Sequence, residues 1–160
     1  MTGSSGLIGS ETAKFLHAQG FDVVGVDNGM REYFFGADAS VEWNTRALEA
    51  ALPRFRNHRL DIRDADAIDA LFATFGTSVS LVVHCAAQPS HDWAAREPLT
   101  DFSVNATGTM VMLEATRRFC PDAVFILTST NKVYGDTPND LPLVELDKRW
   151  ELAPSHAWSQ

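Results

Sequence analysis

Apolar positions along the chain fall into short dense runs separated by stretches of helical spacing. Phe21-Asp22-Val23-Val24-Gly25-Val26, Val79 to His84 and Ala123 to Leu127 are rich in β-branched residues, the pattern of strands buried on both faces of a parallel sheet. Phe55 to Ile62 reads as a further strand, ending at Asp61. Between these runs the apolar period lengthens. Leu7 to Gln19 places Ile8, Phe15 and Leu16 on one predicted helix face, with Gly20 as its C-cap. Asn44 to Leu52 predicts a short helix stopped by Pro53. Asp64 is expected to cap a helix reaching Phe75, with Ala67, Ile68, Leu71, Phe72 and Phe75 as its stripe. Leu99 to Phe119 predicts a long helix with Val104, Val111, Met112 and Leu113 turned inward. Residues 29–42, the segment holding Pro89, Trp93 and Pro98, and the chain beyond Tyr134 show no period and are expected as loop.

Strands alternating with helices predict one α/β unit with helices on both faces of a parallel sheet. Composition leaves that picture intact: 160 residues, 45% apolar and 21% charged, suit a globular domain with its own core. A net charge of −8 argues against a nucleic-acid or anionic-membrane surface. No apolar run approaches the ~20 residues of a membrane span, and no basic-then-apolar leader opens the chain. Cys85 and Cys120 are too few for a disulfide framework or metal site and read as small buried hydrophobes, so no metal is expected and a reducing cytoplasm fits best.

Candidate chemistry begins with Thr2-Gly3-Ser4-Ser5-Gly6-Leu7-Ile8-Gly9, a glycine-rich turn entering a helix. Such a turn lets the backbone approach a pyrophosphate, with free N–H groups and the positive end of the helix dipole behind it. A plain turn of small residues would look the same. Only Met1 and Thr2 precede it, where a buried strand of about five residues is needed, so the front of the fold is expected to be missing. Asp27, at a strand end eighteen positions after Gly9, can accept from both hydroxyls of an adenosine ribose and would repel a 2′-phosphate, favouring NAD over NADP. In isolation it could be a turn former.

Asp61, in Asp61-Ile62-Arg63-Asp64, could reach an adenine amino group or merely cap a helix, and Asp64 suits the cap. In His84-Cys85-Ala86-Ala87-Gln88 the small residues would let a cofactor lie on the backbone, while His84 reads as a packed strand-end histidine rather than a base. Finally, Thr128-Ser129-Thr130 places hydroxyls at a strand end, where they could bind a substrate oxygen or simply form a turn.

Taken in order, these strings, with Val26-Asp27-Asn28, Asn105-Ala106-Thr107-Gly108-Thr109 and Ser129-Thr130-Asn131-Lys132-Val133-Tyr134-Gly135-Asp136, resemble the extended short-chain dehydrogenase/reductases, in the NAD-dependent epimerase/dehydratase family. The last string is most similar to the CDP-paratose 2-epimerase branch, with UDP-glucose 4-epimerases as near relatives. The resemblance implies a Rossmann-type doubly wound sheet, truncated here at both ends. Residues 1–160 would form an incomplete NAD-binding domain without its C-terminal sugar-nucleotide-binding part.

It also implies roles. Gly3, Gly6, Leu7, Ile8 and Gly9 would meet the pyrophosphate, Asp27 and Asn28 the ribose, and Arg31 the adenosine phosphate side. Asp61 and Ile62 would flank adenine. Cys85, Ala86 and Ala87 would line the strand edge, Asn105 would organise the site, and Thr128 would lie beside the cofactor. Thr130, with Ser129, would be the catalytic hydroxyl on a nucleotide-sugar substrate. The full-length relatives imply a homodimer.

One departure is plain. The family uses a tyrosine and a lysine four residues apart for proton transfer, but Ala37 follows Tyr33 and Pro138 follows Tyr134 at that spacing. The pair is expected beyond Gln160, so the fragment is expected to be inactive alone. Asn131 and Lys132 stand where dehydratases of this family tend to carry Asp-Glu, favouring an epimerase. A dehydratase, a dehydrogenase or a non-catalytic NAD sensor are the other readings.

Overall fold

In a computed structural model that describes residues 1–157, the apolar runs form short parallel strands: β1 (Val23–Val26), β2 (Phe55–His58), β3 (Leu81–His84) and β4 (Val124–Leu127). β1 pairs with β2 from Val23–Phe55 to Val26–His58, and β3 with β4 from Leu81–Val124 to His84–Leu127. Thr2 joins the two pairs, forming parallel bridges to both Val26 and His84. Its N–H donates to the Val83 carbonyl at 3.0 Å and its carbonyl accepts from Cys85 N–H at 3.2 Å, while Gly3 N–H reaches the Val26 carbonyl at 2.9 Å. The order is therefore β2-β1-Thr2-β3-β4. Toward their N-terminal ends β1 and β3 are separated by an apolar cavity of about 430 Å³, walled by Leu16, Val24, Phe72, Leu81 and Met112 among others.

Helices cover both faces, as a doubly wound sheet requires. On one side α1 (Leu7–Ala18) and α3 (Glu42–Ala51) bury Ala13 and Leu48 against Val23 and Phe55. On the other, α4 (Ala65–Phe75) and α7 (Gly108–Phe119) bury Ile68, Phe72, Met112 and Ala115 against Val26 and Val82. The side chain of Asp64 caps α4 by accepting from Ala67 N–H at 3.1 Å.

Several expected elements need correction. α1 buries its small-residue face, Gly9, Ser10 and Ala13, and leaves Ile8 and Phe15 more than half exposed. The close approach of this helix to the turn before it leaves no room for large side chains. β1 and β3 start at Val23 and Leu81, because Phe21 and Val79 are held by preceding turns through Leu16 and Gly76. The strand expected to end at Asp61 stops at His58, where Leu60 N–H folds back onto the His58 carbonyl.

Within the expected loop 29–42 lies α2 (Arg31–Phe35), too short to show a period and held by Phe34 packing on Trp93 at 4.7 Å. The segment around Trp93 is also helical: α5 (His91–Arg96) is capped by Ser90, and α6 (Pro98–Phe102) opens on Pro98. A wider π-helical turn, Ser103–Thr107, then joins α6 to α7, so the long helix is continuous but not uniform. Leu113 on α7 is exposed.

The chain divides into a unit from Met1 to Thr128 and another beginning at Ser129. The second unit contains an antiparallel hairpin where loop was expected, β5 (Leu143–Glu145) with β6 (Trp150–Leu152) in register Leu143–Leu152, its turn closed by Leu146 N–H to the Arg149 carbonyl. Among the described residues no helix is long and apolar enough to cross a membrane.

Candidate cofactor site

The carboxyl ends of β1, β2 and β3 open on one side of the first unit into a cavity of about 280 Å³. Its lining brings together Gly3, Gly6, Leu7, Ile8, Gly9, Asp27, Asn28, Arg31, Asp61, Ile62, Cys85, Ala86 and Ala87, residues spread over 85 positions of sequence.

The floor is the glycine turn. Gly3 adopts φ +62°, a left-handed conformation that disfavours any side chain, and a Cβ there would sit 2.8 Å from Ala86 N. Gly6 N–H closes the turn onto the Gly3 carbonyl at 3.1 Å, and Gly6 then serves as the α1 N-cap with no side-chain cap bond. The first N–H groups of α1 therefore face the cavity with the positive dipole end, as an anion requires. Leu7 and Ile8, 79% and 56% exposed, flank that opening rather than entering the core.

Asp27 follows β1 directly. One carboxylate oxygen accepts from Ser5 N–H at 3.0 Å and the other from Gly29 N–H at 2.9 Å, which locks the side chain against the turn. Each oxygen keeps a lone pair, and a carboxylate so placed can accept from a vicinal diol. Asn28 donates from Nδ2 to Asp61 at 3.2 Å and accepts Met30 N–H at 3.0 Å. Arg31 lies at the rim, its guanidinium 5.0 Å over the Phe35 ring. Asp61 is gripped by Arg63, which holds its carboxyl below the usual range. Ile62 is buried against α7, with Gly108 so close that a Cβ there would meet its Cδ1 at 2.5 Å.

Behind the β3 end runs a buried chain of hydrogen bonds. Thr2 Oγ1 accepts from Cys85 N–H at 3.2 Å and Ala86 N–H at 3.1 Å, so its own proton goes to His84 Nδ1 at 2.7 Å. His84 thus carries its proton on Nε2, donating to Thr109 Oγ1 at 3.1 Å, and Thr109 donates to the Asn105 carbonyl at 2.7 Å. Burial, aided by the Met1 ammonium, lowers the His84 pKa to about 4. The ring is a neutral strut. Burial also raises the Cys85 thiol, and Thr128 bonds back to the His84 carbonyl at 3.1 Å.

Asn105 does not line the cavity. From the π turn it clamps Gln88, accepting its N–H at 2.9 Å and donating to its carbonyl at 3.0 Å, while Asp101 accepts from both side-chain amides. The grip on Gln88 shapes the segment after Ala87. Thr128 closes the first unit; Ser129 and Thr130 belong to the second, where both are exposed and the Thr130 carbonyl accepts Val133 N–H at 3.3 Å. The side chains of Asn131 and Lys132, on which the epimerase-over-dehydratase expectation rests, lie outside the described residues.

Sequence reasoning missed Thr2, Ser5, Arg63, Gln88 and Asp101. Of these only Arg63 carried a local signal, its place two residues after Asp61. The others act across long sequence separations that no motif records. Chemically, the cavity offers a backbone anion cradle, a fixed carboxylate for a diol and an apolar wall that includes Ile62 and Val104. Those are the parts an adenine dinucleotide needs.

Comparison with known proteins agrees. Residues 1–159 match the model of the NAD dependent epimerase/dehydratase family. The chain is 32% identical over 136 residues to CDP-paratose 2-epimerase of Salmonella typhi, covering 85% of this chain and 37% of that protein. It is 33% identical over 147 residues to UDP-glucose 4-epimerase of Drosophila melanogaster, covering 91% and 40%. Among solved structures it resembles the UDP-glucose-4-epimerase of Stenotrophomonas maltophila with bound NAD and formylated UDP-arabinopyranose, with TM-score 0.69 and 27% identity over 84% of this chain and 37% of that one. The Thermotoga maritima enzyme with UDP-glucose gives TM-score 0.69 and 28% identity over 88% and 40%. The chain spans about two fifths of the length of these relatives.

Proposed function

Because the chain belongs to the NAD dependent epimerase/dehydratase family, whose cofactor is NAD, we propose that it is the NAD-binding portion of a nucleotide-sugar epimerase. The observation that carries this reading is the Asp27 carboxylate, tied to Ser5 N–H of the glycine turn yet still able to accept from a ribose diol. When bound, NAD supplies a hydride acceptor and donor for a sugar carbon. The chain's own contribution is to hold and orient. The α1 N–H groups and Gly3 receive the pyrophosphate, Asp27 and Asn28 the ribose, Arg31 the adenosine phosphate side, and Asp61 with Ile62 the adenine. Cys85, Ala86 and Ala87 lie along the cofactor, supported from behind by Asn105 and Thr128. Thr130, with Ser129, positions the sugar oxygen.

Residues 1–160 then act as an incomplete Rossmann domain, and the sugar-nucleotide-binding part and the Tyr/Lys pair are supplied by sequence outside them. The unpaired thiols of Cys85 and Cys120 suit a reducing cytoplasmic setting. Exposed Leu99, Phe102, Met110 and Leu113 on α6 and α7 support a homodimer of the full-length protein.

The test is calorimetry with NAD and NADP, alongside turnover assays on UDP-glucose and CDP-paratose. Expected are binding of NAD in preference to NADP and no turnover. Absence of NAD binding, or tighter binding of NADP, would overturn the assignment. Turnover by the purified chain would overturn its inactivity.

A further inference from the structure

Arg63 lies outside the cavity lining, yet it controls a group that lies inside. Its Nε donates to both Asp61 oxygens at 2.9 and 3.1 Å, its Nη2 to Oδ2 at 2.6 Å, and its backbone N–H to Oδ1 at 2.9 Å. Nη1 reaches back to Ser103 Oγ at 3.2 Å, and Ser103 is itself fixed to the Thr100 carbonyl at 2.8 Å. The guanidinium is thereby braced against the start of the π turn.

A carboxylate offers about four lone-pair directions. Arg63 takes three, counting its shared Nε bond once, and Asn28 Nδ2 takes the fourth with the longest contact of the set, 3.2 Å. That is the site a ligand N–H can take over without disturbing the clamp.

From this geometry we propose that Arg63 is a positioning residue that makes the cavity selective for a base bearing an exocyclic amino group, by holding the Asp61 carboxylate in one orientation. The inference rests on the cofactor reading above. A clamped carboxylate accepts only. It welcomes the 6-amino group of adenine and repels the 6-oxo group of hypoxanthine. A released carboxylate can rotate away, so it loses that discrimination. Arg rather than Lys is required, because only a planar fork binds both oxygens at once.

The test compares the affinities of NAD and nicotinamide hypoxanthine dinucleotide for the full chain and its R63M and R63K variants. The unaltered chain should prefer NAD by roughly tenfold or more, the scale of one charge-assisted hydrogen bond. R63M should cut that ratio by roughly tenfold, chiefly through weaker NAD binding, and R63K should fall between. A merely structural Arg63 would weaken both dinucleotides by the same factor. That result, or an unchanged ratio, overturns the proposal. Should R63M not fold, the R63K ratio decides by the same criterion. If the unaltered chain binds neither dinucleotide, the cofactor reading fails and this inference falls with it.

Discussion

At Gly9 the requirement for glycine is spatial. A Cβ would lie 2.0 Å from the Gly3 carbonyl oxygen, backbone that cannot yield without opening the turn. G9A should therefore lower NAD affinity by roughly a hundredfold or more, the scale of losing several phosphate contacts, as measured by calorimetry. His84 is limited by charge instead. Its folded pKa, about 4, lies below the ordinary 6.5, so the native state favours the neutral ring. Its stabilising contribution is complete above pH 6.5 and is lost as pH falls from there toward 4, by at most about 3 kcal/mol. A melting-temperature profile should show that loss, and H84Q should flatten it; an identical slope in H84Q would count against the strut. Gly9 and Asp27 were legible in sequence because a turn and a strand-end acid express their chemistry locally. The packing of His84 was legible too, but not its Thr2 partner, which is 82 positions away.

Among elements, burial rather than apolarity sorts what matters. Phe55 opens β2 and is fully buried with Leu48 and Val23, so F55A should cost about 3–5 kcal/mol in chemical denaturation. Val124 opens β4 and is 60% exposed; V124T should change stability by no more than about 0.5 kcal/mol. Strands and long helices were legible because their periods persist over enough residues. α2 and α5 were not. Each is under two turns, and α2 is held by Phe34 and Tyr33 packing on Trp93, with the Tyr33 hydroxyl donating to Glu97 at 3.0 Å. The π turn was equally hidden: Asn105 within it clamps Gln88 from 17 positions away, a contact no residue pattern inside the turn records.

At the scale of the molecule, the strand order follows from the chain, but the narrowness of its middle does not. β1 and β3 meet through Thr2 alone among the described residues, with the apolar cavity beyond it. The alternation that aims Val23 N–H at the Arg54 carbonyl of the β2 side and Val26 N–H at the Met1 carbonyl also aims Val24 N–H into that cavity. Its amide should exchange with solvent much faster than that of Gly25, which hydrogen-exchange NMR can read directly. T2V keeps the backbone bridge, and with it the Cys85 N–H bond to the carbonyl of residue 2, but orphans the Ala86 N–H and the His84 Nδ1, and should cost about 2–3 kcal/mol.

The Thr2 bridge has a thermodynamic corollary. The cofactor cavity draws Gly3 and Asp27 from the β1 side and Cys85, Ala86 and Ala87 from the β3 side. A bound dinucleotide therefore straddles the seam as an external brace, and ligand occupancy becomes a term in the folding equilibrium. Saturation at a hundred times Kd is worth about 2.7 kcal/mol. That margin adds directly to the stability of the folded state.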